Sequence, residues 1–222
     1  MTHGAIRIGI GGWNYEPWRG TFYPPGTAQK RELGYAAQHL TAIEINSTYY
    51  GSQKPESFAN WAAAVPDGFR FSVKASRFAT NRKVLAEGGE SIGRFLNQGI
   101  DRLGDRLGPL HWQFMATKRF ERDDFARFID LLPERLGSLP LRHALEVRHE
   151  SFRDPAFMDL ARARNMAVVF ADSDEFPCID EQSADFTYAR LQRTQDEHAN
   201  GYSEAALDEW SNRMVDWAAG GR

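Results

Sequence analysis

This sequence of 222 residues has a single cysteine, no long hydrophobic run and little net charge. Because Cys178 has no second cysteine to pair with, an internal disulfide is excluded, which favours a reducing compartment. No apolar run approaches the roughly 18 residues that a membrane-spanning helix needs. The first residues also lack the basic segment followed by an apolar segment that is typical of a secretory signal. We therefore expect a soluble, cytoplasmic protein that has no membrane partner.

An excess of charge of one sign is missing as well. Lys and Arg together number 27 and Asp and Glu number 30, which gives a net charge of −3. Proteins that bind nucleic acid or an anionic membrane over a broad surface usually carry a basic excess. The composition excludes such a global field but is compatible with a local basic patch. The aromatic content of 13% excludes a disordered chain, so we expect a folded globular protein.

The sequence does contain a regular alternation of short apolar runs and longer helical patterns. The apolar runs predict seven strands, at residues 6–12, 42–47, 69–74, 110–115, 144–149, 166–171 and 187–191. The helical patterns lie at residues 29–40, 55–65, 90–103, 123–136, 154–165 and 203–219. Strict alternation of this kind predicts a parallel sheet with helices outside it. Because no Ser- or Gly-rich linker interrupts the pattern, we predict a single domain over residues 1–222.

The eighth strand of a closed barrel is absent from this pattern. Seven strand–helix units exceed a small flavodoxin-like sheet and approach the eight units of a TIM barrel, which typically needs about 250 residues. The polar stretch at residues 172–185 shows no helix between the last two strands. The prediction is an α/β, TIM-barrel-like (β/α) barrel with seven strands identified. The missing strand indicates either that the chain is cut short or that the barrel is open.

Several motifs, spread in order along the chain, resemble the DUF72 (YecE-like) family. They are IGIGGWNY at residues 8–15, WRG at 18–20, FYP at 22–24, EINSTYY at 44–50, FRFSVKA at 69–75 and EVRH at 146–149. The resemblance covers essentially the whole chain. It implies a TIM-barrel-like fold and leaves the reaction open.

Three segments depart from the pattern of that family. Residues 113–116 read QFMA where the family usually has QLPP, residues 190–193 read RLQR instead of RLHG, and residues 80–81 read TN instead of TH. Two positions where the family supplies a histidine therefore carry amide side chains. A mechanism that needs histidine at either position is not expected.

Polar residues at the predicted strand ends are the strongest functional signal. In a parallel barrel the C-terminal ends of the strands form the mouth that carries the active site. The predicted mouth residues are Glu44, Asn46, Lys74, Gln113, Glu146, Arg148 and Arg190. Alternation along a strand places Glu44 with Asn46, and Glu146 with Arg148, on the face opposite the apolar residues. Because the apolar faces pack against helices, the charged faces are predicted to point into the barrel and to pair there.

Two interpretations of these charges remain open. In one, Lys74, Arg148 and Arg190 hold an anionic or carbonyl group of a ligand, since guanidinium groups match carboxylate and phosphate geometry. Glu44 and Glu146 then act as general acid and base, which predicts an enzyme for proton transfer or hydrolysis on a small, phosphorylated or sugar-like substrate. In the other, the same charges form a paired ionic plug that only stabilises the barrel interior.

Aromatic residues cluster in the predicted loops after the first two strands. Trp13, Tyr15 and Tyr49 are candidates to contact a substrate, since rings at a barrel mouth suit stacking on sugars or bases. The same rings equally fit packing over the top of the barrel. A nucleic-acid or sugar binding module without turnover is therefore the alternative function, although the charge balance does not favour nucleic acid.

No cofactor and no metal is predicted. The glycines at 9–12 fit neither a dinucleotide-binding pattern nor a P-loop. The histidines show no metal-ligand spacing, and Glu146 and His149 are predicted on opposite faces of one strand. No G-x-S-x-G motif surrounds a serine, and nothing in the sequence specifies an oligomeric state.

Overall fold

The computed structural model describes residues 4–221, and the elements below belong to that range. The strands are β1 (Gly9–Gly11), β2 (Ala42–Ile45), β3 (Arg70–Lys74), β4 (Leu107–Gln113), β5 (Arg135–Leu136), β6 (Leu139–Pro140), β7 (His143–Glu146), β8 (Ala167–Val168), β9 (Phe170–Asp172) and β10 (Ala189–Leu191). The α-helices are α1 (Gln29–His39), α2 (Ser47–Tyr50), α3 (Pro55–Ala63), α4 (Arg77–Thr80), α5 (Gly89–Leu96), α6 (Arg122–Asp130), α7 (Pro155–Ala163) and α8 (Glu204–Ala218). Short 3₁₀ segments lie at Glu16–Trp18, Leu85–Glu87, Ile100–Arg106 and Glu150–Arg153. No described helix is long and apolar enough to span a membrane.

The predicted alternation of strands and helices is confirmed, as are two of its helix starts. The Asp154 carboxylate accepts a hydrogen bond from the backbone N–H of Ala156 at 2.9 Å and begins α7. The Ser203 hydroxyl accepts one from the N–H of Ala206 at 3.2 Å and begins α8. Each side chain satisfies a backbone donor that the first helical turn leaves without an intrahelical acceptor. These N-caps were readable because the capping residue precedes a long apolar pattern.

The predicted helix over residues 90–103 is wrong as a single helix. Helix α5 ends at Leu96, and a 3₁₀ segment follows from Ile100. Between them Gly99 has a φ of 111°, in the left-handed region that favours glycine. A Cβ atom at this position would also lie 2.6 Å from the Cα of Pro55. The chain therefore turns where the apolar pattern alone predicted continuation.

Two further elements are shorter than predicted. Helix α6 ends at Asp130, and the β5–β6 hairpin replaces the last turns of the predicted helix over 123–136. The predicted strand at 166–171 is divided into β8 and β9 by Val169, whose N–H donates to the carbonyl of Leu145 at 3.0 Å. The described stretch between β9 and β10 contains no helix, as predicted.

The chain folds as two compact units built from alternating segments. The first unit comprises residues 7–113 and 127–143, and the second comprises the described parts of 1–6, 114–126 and 144–222. The prediction of one domain over the whole chain stays a prediction.

The first unit contains a four-stranded parallel ladder in the order β1-β2-β3-β4. Gly11 pairs with Glu44, and Lys74 pairs with His111. The apolar residues of β2, Ile43 and Ile45, are fully buried, as alternation predicts. Because the strands are parallel, their C-terminal ends meet at one edge of the ladder.

The second unit contains two parallel pairs, β7 with β8 and β9 with β10. Its core includes phenylalanine rings from three parts of the chain, with ring centroids between 5.0 and 6.3 Å apart: Phe114, Phe125, Phe152 and Phe157. On α8, Trp210 and Trp217 each pack against Phe170 with centroids 5.7 Å apart. The parallel α/β class predicted from the sequence is confirmed in both units.

Candidate functional site

A buried carboxylate–histidine pair lies across the ladder of the first unit. The Oε2 atom of Glu44 on β2 is 2.6 Å from the Nδ1 atom of His111 on β4, and their side chains are 5% and 0% exposed. Both side chains reach past β3, which lies between their strands. A protonated imidazole at this distance forms an ion pair with the carboxylate. The sequence interpretation selected Glu44 and did not assign a role to His111.

A signal for His111 was present in the strand pattern. His111 and Gln113 are two residues apart on β4 and therefore share a face. Gln113, predicted at the mouth, is buried as the last residue of that strand. The residue one step earlier on the same face was the natural candidate to contact a carboxylate from a neighbouring strand.

Tyr15, Asn46 and Glu44 of β2 all lie near the C-terminal end of β1. A Cβ atom at Gly11 would lie 3.1 Å from the Nδ2 atom of Asn46 and 3.7 Å from the Oε1 atom of Glu44. The Tyr15 hydroxyl donates to the carbonyl of Gly11 and would lie 3.1 Å from a Cβ atom at Gly12. We call Tyr15, Glu44, Asn46 and His111 the carboxylate–histidine cluster.

Glycine at positions 11 and 12 is needed for this arrangement. Gly12 has a φ of 84°, a backbone conformation that residues other than glycine rarely adopt. A Cβ atom at Gly11 would crowd the Asn46 amide, and one at Gly12 would crowd the Tyr15 hydroxyl. Burial, and to a smaller extent the carboxylate of Glu44, raises the pKa of the Tyr15 phenol. Tyr15 is therefore neutral at physiological pH.

Lys74 and Tyr49 are also brought together in the first unit. The Lys74 Nζ atom lies 5.0 Å from the centroid of the Tyr49 ring, within the range of a cation–π contact. The amide of Asn81, where the family usually has histidine, donates to the Tyr49 hydroxyl at 3.3 Å. The Thr48 hydroxyl donates to the Lys74 carbonyl at 2.6 Å and connects α2 with the end of β3.

Trp13 makes contacts of a different kind. Its ring meets Trp61 edge-on with centroids 5.6 Å apart and lies 6.5 Å from the ring of Phe71. Its carbonyl accepts a hydrogen bond from the buried Tyr23 hydroxyl at 2.6 Å. These contacts favour the packing interpretation for Trp13, and its contact with a substrate stays a prediction.

Glu146, Arg148 and Arg190 form an ionic cluster in the second unit, as the strand faces predicted. The Oε1 atom of Glu146 accepts from Arg148 Nε at 2.8 Å and lies 2.7 Å from its Nη2 atom. The Oε2 atom accepts from Arg190 Nη1 at 2.8 Å. The carboxylate is 1% exposed and each arginine side chain 22%. We call these three residues the arginine cluster.

The three members of the arginine cluster differ in which of their groups are occupied and which reach solvent. Both oxygens of Glu146 accept charge-assisted bonds and are therefore occupied. The guanidinium of Arg148 also lies 4.2 Å from the ring centroid of Phe176. Its planar group is therefore fixed on one side by Glu146 and supported on its face by a ring, while part of it reaches solvent.

The sequence interpretation did not identify a further buried carboxylate, Asp172, which pairs with an arginine and a tyrosine. Asp172 ends β9, and its Oδ1 atom accepts from Arg193 Nε at 2.6 Å. Its Oδ2 atom accepts from the Tyr202 hydroxyl at 2.9 Å, which in turn accepts from the Arg193 backbone N–H at 2.9 Å. Arg193 stands where the family usually has glycine, so this departure from the pattern was the available signal.

The two predicted glutamates have different surroundings and lie in different units. Glu44 pairs with an imidazole in the first, and Glu146 pairs with two guanidinium groups in the second. The Nδ1 atom of His149 accepts a hydrogen bond from the backbone N–H of Ser151 at 3.0 Å. Within residues 4–221 no three His, Cys, Asp or Glu side chains are grouped as metal ligands.

Comparisons with known proteins connect this arrangement to one family. The family model described as "Protein of unknown function DUF72" matches residues 7–222. The UPF0759 protein YecE of Escherichia coli K12 is 28% identical over 148 residues, which are 66% of this chain and 50% of YecE. The chain therefore spans about half the length of the curated relatives it matches.

Two solved structures share the fold. A DUF72 family protein of Thermotoga maritima superposes with a TM-score of 0.74 at 24% identity, covering 97% of this chain and 88% of that one. A DUF72 family protein of Enterococcus faecalis gives 0.66 at 18% identity, covering 97% and 87%. Since these structures are TIM-barrel-like, the predicted fold class is confirmed.

Proposed function

Because this chain belongs to the DUF72 family and has its TIM-barrel-like fold, we propose that it is an enzyme whose polar strand ends carry out proton transfer on a small anionic substrate. Glu44 is the proton-transfer group in this proposal. The observation that carries it is the 2.6 Å contact between the carboxylate of Glu44 and the imidazole of His111.

The burial of the pair decides which member meets the substrate. His111 is fully buried, whereas the Glu44 side chain is 5% exposed; its Oε1 atom, on the Gly11 side, is itself buried. The imidazole therefore positions the carboxylate. Glu44 is the group that takes a proton from a substrate carbon or hydroxyl and returns it.

Three neighbours complete the site in the first unit. The Asn46 amide would donate to a substrate oxygen beside Glu44. The Tyr15 hydroxyl, which already donates to a carbonyl, would accept from a substrate hydroxyl. The Lys74 ammonium, braced over the Tyr49 ring, would supply positive charge to an anionic group or a developing oxyanion.

For the second unit we propose a binding role rather than proton transfer. Both oxygens of Glu146 are occupied by guanidinium hydrogen bonds, so this carboxylate is a poor candidate for a base. We propose that Glu146 positions Arg148 and Arg190, and that Arg148 contacts a carboxylate or phosphate. This revises the sequence interpretation, in which both glutamates shared the acid–base role.

The test is isotope exchange, which detects proton transfer without knowledge of the net reaction. The protein is incubated in D₂O with a panel of sugar phosphates, hydroxy acids and keto acids, and loss of C–H signals is followed by NMR. Release of p-nitrophenol from phosphate esters and glycosides covers the hydrolytic case. We expect Glu44→Gln to lower the rate at least about 100-fold, the smallest usual effect of removing a general base.

A matched control is available on α1. Glu32 is also fully buried in the first unit and pairs with Arg19 at 2.7 Å, outside the carboxylate–histidine cluster. Glu32→Gln removes a buried carboxylate without touching Glu44, so its exchange rate should stay near that of the wild type. Equal rates in wild type and a folded Glu44→Gln variant would overturn the proposal.

The binding-module alternative predicts a different pattern. A protein that tracks a nucleic-acid backbone loses affinity steeply as salt rises, because counterions are released. Salt-sensitive binding of an oligonucleotide, together with no exchange or hydrolysis across the panel, would favour that alternative.

A further inference from the structure

A polar cleft of about 200 Å³ lies in the first unit, and none of its lining residues belongs to the clusters described above. The lining residues used below are Thr48, Ser76, Phe78, Ser91, Arg94 and Gln98. Thr48, Ser76 and Phe78 come from the segments that follow β2 and β3, where helices α2 and α4 begin, and the other three lie on α5 or just after it. Ligands of parallel α/β proteins bind at this end of the strands.

The hydroxyl groups of the cleft are prepared to donate hydrogen bonds. The Ser76 oxygen accepts from the backbone N–H of Phe78 at 3.3 Å, and the Ser91 oxygen accepts from Arg82 Nη2 at 2.8 Å. Each serine therefore has its own O–H proton available for a ligand. Two such donors complement a ligand rich in oxygen acceptors.

Two buried polar side chains of the cleft are held in place by backbone groups. The Gln98 Oε1 atom accepts from the Gln53 N–H at 2.7 Å, and its Nε2 atom donates to the Phe95 carbonyl at 2.7 Å. The Thr48 hydroxyl donates to the Lys74 carbonyl, which leaves its oxygen as an acceptor. Both residues are more than 90% buried, so these groups need no reorganisation when a ligand binds.

An aromatic ring and a cation complete the lining. Phe78 is 56% exposed, so its ring is accessible to a ligand. Arg94 pairs with Glu90 at 2.6 Å, but both side chains are exposed, so this ion pair contributes little and the guanidinium can turn to a ligand. A ring beside hydroxyl donors suits the C–H face of a sugar, and the guanidinium suits a phosphate.

We propose that this cleft binds a phosphorylated monosaccharide, with the sugar against Phe78 and the serine hydroxyls and the phosphate at Arg94. Drug-sized ligands occupy pockets of roughly 300–1,000 Å³. At about 200 Å³ this cleft is smaller, which suits a ligand as small as a phosphorylated monosaccharide. The assignment is independent of proton transfer at Glu44, because it concerns binding at other residues.

Calorimetric titration of the full chain tests the proposal with four probes: ribose 5-phosphate, glucose 6-phosphate, free ribose and inorganic phosphate. We expect one of the sugar phosphates to bind at least about 10-fold more tightly than ribose or phosphate alone. Phe78→Ala should weaken that binding about fivefold and Arg94→Gln about 10-fold, in line with one ring contact and one charge-assisted bond.

Two matched controls use exposed residues outside the lining. Tyr50 is an exposed aromatic on α2, and Arg102 is an exposed arginine in the same unit. Tyr50→Ala and Arg102→Gln should each leave the affinity within twofold of the wild type. All four substitutions are at exposed positions, so the variants are expected to fold.

Each other outcome contradicts the proposal. Affinity that Phe78→Ala and Arg94→Gln leave unchanged would place the ligand elsewhere. Binding of inorganic phosphate as tight as that of the sugar phosphates would exclude sugar recognition, and absence of heat with all four probes would exclude the site.

Discussion

Replacing Glu146 by Gln removes the central charge of the arginine cluster and should destabilise the protein measurably. Glutamine keeps one acceptor oxygen, but its Nε2 group would face a guanidinium donor where a carboxylate oxygen now accepts. One of the two arginines, Arg148 or Arg190, would lose its bond and remain partly buried. Because Glu146 is 1% exposed, water does not replace the lost bond.

The magnitude follows from the burial of the three groups. Removing one partner of a buried ion pair costs about 3–5 kcal/mol in the free energy of unfolding. Because each arginine is 22% exposed and recovers some hydration, we expect a loss near the lower end, about 3 kcal/mol. With a slope near 2–3 kcal/mol per molar urea, this corresponds to a midpoint lower by about 1 M.

The assay is urea unfolding followed by both tryptophan fluorescence and circular dichroism, so that coincident transitions can be verified. Arg190→Met and the double variant complete a cycle, in which we expect a coupling energy of about 1–2 kcal/mol. Asp123→Asn is the control, because its pair with Arg122 spans 3.6 Å on an exposed surface and should change stability by less than about 0.5 kcal/mol. A loss below about 1 kcal/mol for Glu146→Gln, with an unchanged slope, would refute the reasoning.

Two further predictions, tested with three substitutions, concern the first unit. Gly9→Ala should lower the free energy of unfolding by at least about 2 kcal/mol, because its Cβ atom would collide with the carbonyl oxygen of Ala42. Gly93→Ala in α5 is the control: a Cβ atom there has nothing within 4 Å, and the change should raise the free energy of unfolding by about 0.5–1 kcal/mol. Equal urea midpoints for the two variants would contradict the β1–β2 contact. Burial, then the nearby Glu32 carboxylate, raises the pKa of Tyr23 from 10 to about 12. The stability that it contributes is therefore complete below pH 10 and is lost as the pH rises towards 12. Tyr23→Phe should flatten the fall of the urea midpoint between pH 10 and 12, and a slope equal to that of the wild type would exclude Tyr23 as its source.

The sequence predicted those elements in which local and global signals agree. Helix α1 and strand β2 lie within two residues of their predicted bounds, because their apolar spacing has one clear period. The single helix predicted over 90–103 failed at Gly99. The reason is tertiary, since only glycine fits against Pro55 with that backbone conformation.

In the candidate site, too, contacts within one strand were predicted and contacts between distant segments were not. The pairing of Glu146 with Arg148 was predicted, because two residues on one strand share a face at fixed spacing. The contact between Glu44 and His111 was not, because it crosses an intervening strand and depends on register. Asp172 ends β9, but its partners Arg193 and Tyr202 come from the segment that follows β10, for which no periodic pattern exists.

The alternating segments of the two units also set the order in which the protein can complete its fold during synthesis. Residues 114–126, which carry Phe114 and Phe125, leave the ribosome before the rings that cover them, Phe152 and Phe157. Phe157 follows Phe125 by 32 residues, or roughly 2–6 seconds at 5–20 residues per second. During that interval these rings have no native partner from the later segment, so the nascent chain exposes apolar surface. The nascent second unit is therefore prone to aggregation until its later segment has been synthesised.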